Sequence, residues 1–190
     1  EACKAANSRG QQVYVQIPCQ PLSFDFTMAN AYPFYSHDAF GAIKACPPHE
    51  LKKIFSDNDF RDRFRSSLQK PRPGMIFQGN WNRVTVAVPA LEKNAHLANQ
   101  TIESIARNQG IDPLDLIMDL SLEEDLKTTF IGQFLNVGDD GVAELLQHES
   151  GVVSLSDAGA HLVFMCDAGF GLHFLGKWVR ERGEFSLAQG

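Results

Sequence analysis

The hydrophobic positions along the chain change period several times, and each change marks an element. "EACKAANSRGQQ" opens the chain as a helix-like run that stops at Gly10. "QVYVQIPC" (12–19) then alternates Val13, Val15 and Ile17 on one face, which predicts a strand ended by Pro18 and Pro21. The segment from Phe24 to Phe40 is too aromatic for a solvated linker and must pack on something. Residues 48–69 predict two short helices, one opening with Pro48 and the other capped by Ser56 or Asp57, presenting Leu51, Ile54, Phe55, Phe60 and Phe64 to a core.

After the turn "KPRPG" (70–74), Val84, Val86 and Val88 alternate as a short strand. Thr101 caps a helix that ends at Gly110, and Asp112 before Pro113 opens the next. A strand over 128–136, a helix over 139–148, a strand over 151–157 and a helix over 167–182 complete the order, the last with Leu172, Leu175, Trp178 and Val179 inward. Beyond residue 100, almost wholly apolar strands alternate with helices. That pattern predicts an α/β protein with a parallel sheet buried on both faces, in which chemistry sits at the carboxyl ends of the strands.

Composition narrows the partners rather than the fold. The 190 residues are 44% hydrophobic and 21% charged, with a net charge of −6. Such an acidic balance argues against a nucleic-acid or anionic-membrane partner, because both need a basic face. The basic residues of 52–70 are interleaved with Asp57, Asp59 and Asp62 and read as a solvated helix face. Cys3, Cys19, Cys46 and Cys166 form no C-x-x-C pair and no zinc spacing, so they read as free thiols. No apolar run approaches the roughly 18 residues of a membrane span, and no signal peptide opens the chain, so the expectation is a cytoplasmic protein. The ends read as cut, since the chain starts without methionine and Ser186 caps a helix with only four residues to follow.

"VVSLSDAGAHL" (152–162) carries the candidate chemistry. Asp157 ends an apolar strand, where it either faces a site or caps the following turn. His161, four residues on, either contacts substrate or makes a turn hydrogen bond. His37, in "YPFYSHDAF", reads as a packing histidine with a pocket role as the alternative, and His49, His96, His148 and His173 read as structural.

"SLSDAGAHL", "CDAGF" and "LGKWVRERGEFSL" together resemble the C-terminal part of the metal-dependent amidohydrolases, in the D-aminoacylase (N-acyl-D-amino-acid deacylase) branch. "QVYVQIPCQPL" and "ANQTIESIARNQGIDPLDLIMDL" look like the strand 6 region and the inserted segment of that branch. The resemblance implies the C-terminal portion of a (β/α)8 TIM-like barrel, with about three core parallel strands and a mostly helical insertion over about 38–126, as a single partial domain. It implies hydrolysis of a small-molecule amide by a metal-activated water, with zinc as the divalent metal. Asp157 then takes the place of the strand 8 aspartate that binds the metal and accepts the water's proton, and His161 that of a substrate contact.

The family's His-x-His pair and its strand 4 and 5 ligands would precede Glu1, and the strand 6 position reads as Gln16 or its neighbours. This chain alone is therefore expected to be inactive and to hold no metal. The family's substrate-carboxylate arginine falls near Cys166, where no arginine stands, which argues against an N-acyl-D-amino acid as substrate. The alternative reading is a non-catalytic α/β domain that binds a partner through residues 24–40 or self-associates, a homo-oligomer being one way to cover open barrel edges.

Overall fold

The computed structural model describes residues 1–70, 72–154 and 168–189. The chain divides into two compact units, one formed by Glu1–Ser23 with Leu135–Gly190 and the other by Phe24–Phe134. Within the described residues the protein is mixed α/β, with a small parallel sheet and a separate sheet that contains an antiparallel pair.

In the first unit, α1 (Ala2–Asn7) ends before Gly10, whose φ of 80° is left-handed and suits glycine. β1 (Val15–Ile17) pairs in parallel with a distant strand, Gly151–Val153, in the register Val15 to Gly151 and Ile17 to Val153. The ladder runs one step further, because the Ser154 amide donates to the Ile17 carbonyl at 3.2 Å. The expected strand over 12–19 is thus three residues long, and of its alternating valines and isoleucine only Ile17 is buried, Val13 and Val15 being exposed. A three-residue strand buries little of its own, and its core is completed by Cys19, Val142, Ala143, Leu146, Phe174 and Trp178.

The second unit contains β2 (Leu22–Phe26), which begins at the boundary, and β3 (Val84–Val88). β4 (Thr129–Leu135) lies between them, antiparallel to β3. This corrects the expectation of a third parallel strand at 128–136, which belongs to a different sheet from β1. An apolar run looks the same in a parallel strand and in the central strand of a small sheet with an antiparallel pair, so periodicity could not separate the two. The strand over 151–153 is β5 in chain order.

The aromatic segment packs inside this unit. Phe34 is fully buried with its ring centroid 5.0–6.2 Å from those of Phe26, Phe40, Phe64, Phe77 and Trp81. Phe24, Phe26, Phe34 and Phe40 are buried, whereas Tyr32 and Tyr35 of the same segment are half-buried. Around it pack α2 (Asp38–Gly41), α3 (Pro48–Phe55) and α4 (Asn58–Leu68), with α5 (Ile102–Gln109) and α6 (Pro113–Glu123) beyond. The expected caps form: Asp57 accepts from the Asp59 amide, Thr101 from Ser104 and Asp112 from Leu114. Gly110 closes α5 at a φ of 67°.

α7 (Asp139–Leu146) precedes β5 in the first unit. The last helix begins as α8 (Phe170–His173) and continues as a π-helix over Phe174–Glu181, shown by the Arg182 amide bonding five residues back to the Lys177 carbonyl. Phe174 and Trp178, four apart, are buried, whereas Leu172 and Leu175, expected inward, are 80% and 40% exposed.

Candidate functional site

Because β1 and β5 run parallel, both end at the same edge of their sheet, where Pro18 follows β1 and Ser154 follows β5. The loop leaving β1 is fixed by side chains from later in the chain. Trp178 donates its indole N–H to the Cys19 carbonyl at 2.6 Å, and the Asn136 amide donates to Pro18 and Gln20 carbonyls at 2.7 and 2.8 Å. The Cys19 thiol is buried, donates to the Phe170 carbonyl at 3.2 Å and has its pKa raised by that burial. A thiol held neutral in this way is a packing group and not a nucleophile.

Beside β5 runs an open groove of about 550 Å³, lined by Val153 of the strand, Leu146 of α7, and Phe170, Phe174 and Phe185, with the Gln189 amide as a polar group. On the π-helix that supplies Phe174, Lys177 bonds Asp139 at 2.8 Å and holds that carboxyl below its ordinary pKa, while Arg182 pairs with Asp140 and Glu184. These ion pairs join α7 to the π-helix on the surface, where such pairs add little to stability.

Asp157 and His161, the residues singled out for catalysis, metal and substrate, lie outside the described residues, as does Cys166. Ser154, the last described residue before Asp157, continues the β5 ladder at the carboxyl end of the parallel pair. Cys3, Cys19 and Cys46 are free thiols, as expected. Among the described residues no three His, Cys, Asp or Glu side chains lie together in a way that could hold a metal ion, so these residues by themselves do not fit a metal centre. His148 is exposed and its Nδ1 accepts from the Ser150 amide at 3.1 Å. No helix among the described residues is long and apolar enough to cross a membrane.

Two buried polar groups in the second unit have site-like chemistry. Glu124 is almost fully buried and accepts from the Ala90 amide at 2.6 Å, the Leu91 amide at 3.2 Å, Asn94 Nδ2 at 2.8 Å and Thr128 Oγ1 at 2.7 Å. Burial raises its pKa, but these four donors outweigh burial and hold the carboxyl below its ordinary value. Two oxygens with four filled acceptor directions have nothing left for a substrate proton, so Glu124 fastens residues 90–94 to the end of α6. Sequence reasoning passed over it, although a signal was present: carboxylates at a helix C-terminus oppose the dipole and need compensating donors.

The other is His37, fully buried, as its packing reading expects. Its Nε2 lies 2.9 Å from the Phe77 carbonyl and its Nδ1 2.8 Å from Ser67 Oγ. A serine on a histidine that is oriented by an acceptor is the arrangement of an activated nucleophile. Here the ring has no exposure and packs edge-on to Phe64, so a substrate cannot reach it.

No protein-family model, no curated protein and no solved structure matches the chain.

Proposed function

We propose that this chain is the C-terminal part of the catalytic barrel of a metal-dependent amidohydrolase of the N-acyl-amino-acid deacylase type, acting on a small-molecule amide. The observation that supports this reading is the parallel pairing of β1 and β5, since in the sequence the SLSDAGAHL motif follows directly on β5. The carboxyl edge of the parallel strands is where α/β barrels keep their catalytic groups. β1 pairs directly with β5, whereas strands 6 and 8 of a barrel are not neighbours. On this reading β1 therefore takes the place of the strand immediately before β5 and not that of strand 6, and residues 24–134 with α7 fall in the crossover between them.

Asp157 is the proposed base, its carboxylate taking a proton from the water that attacks the amide carbonyl. His161 is the proposed substrate contact. A divalent metal, zinc by the resemblance, would acidify that water. Asp157 is the ligand this sequence proposes for it, and one carboxylate does not hold zinc. The 190 residues by themselves are accordingly proposed to be inactive, and the reading is tested in the protein of the natural reading frame. Hydrolysis of N-acyl amino acids that falls by about 10³-fold or more in Asp157→Asn, with an unchanged melting curve, supports it. Hydrolysis that survives the substitution overturns it.

A second reading, a non-catalytic domain that self-associates, is favoured by the exposed Val13, Tyr14, Val15 and Val152 on and beside the two-stranded sheet. Apolar residues along open strand edges are a site of chain pairing. Light scattering distinguishes the readings: a concentration-dependent dimer without amidase activity favours the second.

A further inference from the structure

His37 occupies a position in which a proton can be taken up without the loss of a hydrogen bond. The Phe77 carbonyl can only accept, so Nε2 carries a hydrogen and donates to it. Ser67 Oγ lies 2.8 Å from Nδ1 and 2.7 Å from the Phe64 carbonyl, and its one hydrogen serves one of them at a time. With a neutral ring, Ser67 donates to Nδ1. With a protonated ring, Nδ1–H donates to Ser67 Oγ, and the hydroxyl turns to Phe64.

Among the described residues the charge itself has no carboxylate bonded to it. The neighbouring carboxylate, Asp38, is engaged by Arg72 at 3.0 Å. α4 presents Phe64 and Ser67 to the ring, and the 75–80 segment presents Phe77, none of them charged. Burial lowers the His37 pKa most, the Phe77 carbonyl raises it by accepting the Nε2 hydrogen, the Arg72 guanidinium lowers it and Asp38 raises it, with the balance below the ordinary value. An unpaired charge buried between aromatic rings is costly, and exposing the ring to water relieves that cost.

The part that can move away is the segment 72–78. It contains no helix or strand, turns at Gly74 with a φ of 87°, and is attached to its unit through Arg72 to Asp38, the Phe77 carbonyl on His37, and the buried Met75 and Phe77 side chains. We propose that His37, Ser67 and the Phe77 carbonyl form a proton-operated latch that holds 72–78 against the core at neutral pH and releases it on acidification.

The sign follows from linkage. The latched state binds fewer protons than the released state, in which His37 recovers a pKa of about 6.5. Release is therefore not driven above about pH 6.5. Below it, release grows by up to about tenfold per pH unit until the latched ring itself titrates.

Hydrogen exchange of the full chain at pH 8 and pH 5, corrected for intrinsic rates, tests the latch. Protection of amides 74–79 should fall by at least about tenfold at pH 5 relative to those of α5 and α6. His37→Gln, which keeps one donor and one acceptor but does not titrate, should lose that differential while retaining a cooperative melt. If 74–79 and the α5–α6 amides change in parallel in the wild type, or if His37→Gln keeps the differential, the latch is overturned. Should the glutamine variant fail to fold, NMR titration of the His37 ring decides: exchange broadening of the 74–79 amides that tracks the ring supports the latch, and its absence overturns it.

Discussion

The indole N–H of Trp178 donates to the carbonyl of Cys19 at 2.6 Å, joining the last helix to the loop that leaves β1 across 159 positions of sequence. Trp178 is almost fully buried and also stacks under the Arg182 guanidinium. Trp178→Phe keeps most of the ring and leaves the carbonyl unpaired, so it should cost about 1–3 kcal/mol. Trp178→Ala removes the ring as well and should cost about 3–5 kcal/mol. Urea unfolding followed by circular dichroism measures both, and equal costs for the two variants would rule out a separate contribution from the ring.

Gly151 is required by packing rather than by its backbone angles. A Cβ there would lie 2.6 Å from Ile17 Cδ1, 2.8 Å from the Leu145 carbonyl and 3.1 Å from that of His148. A side-chain methyl can turn away, but the Leu145 carbonyl belongs to the end of α7 and cannot. Gly151→Ala is expected to destabilise the β1–β5 pair by about 1–3 kcal/mol, read as a lower urea midpoint. A midpoint within error of the wild type would show that β5 has room to shift.

Glu124 gives a prediction about both stability and pH. Glu124→Gln replaces an acceptor with an amide that faces donors from Ala90, Leu91, Asn94 and Thr128, and it should cost about 2–4 kcal/mol. Because the folded pKa is depressed, this carboxylate's contribution is present above its unfolded value of about 4.3 and is lost as pH falls through the folded one. Between pH 6 and pH 3 the wild type should therefore lose more stability than Glu124→Gln, measured by denaturation at each pH.

Cysteine labelling tests the packing of the β1 loop. Cys19 is buried with a raised pKa, whereas Cys3 and Cys46 are half-buried. In the native protein a thiol reagent should modify Cys3 and Cys46 at least about tenfold faster than Cys19, with the difference abolished in urea. Peptide mass mapping reads out each site, and equal rates would mean that the loop after β1 opens freely.

The sequence by itself determined the local elements whose signals are short-range. Asp57, Thr101 and Asp112 cap their helices through bonds spanning two or three residues, and Gly110 ends α5, so each was legible in a few letters. The burial of residues 24–40 was equally legible, because so many aromatic side chains have no other favourable place. The SLSDAGAHL motif was read from sequence as well, and its Asp157 and His161 lie outside the described residues. Tertiary structure decided what depends on partners distant in the chain. It put 129–135 beside β3 and β1 beside β5, since an apolar strand is compatible with several neighbours and only packing selects one. It left Leu172 and Leu175 exposed, and it joined Glu124 to Ala90 and His37 to Phe77, relationships without a sequence period. Hydrogen bonds between residues 34 or 40 positions apart are fixed by the three-dimensional meeting of surfaces, and no local pattern encodes that meeting.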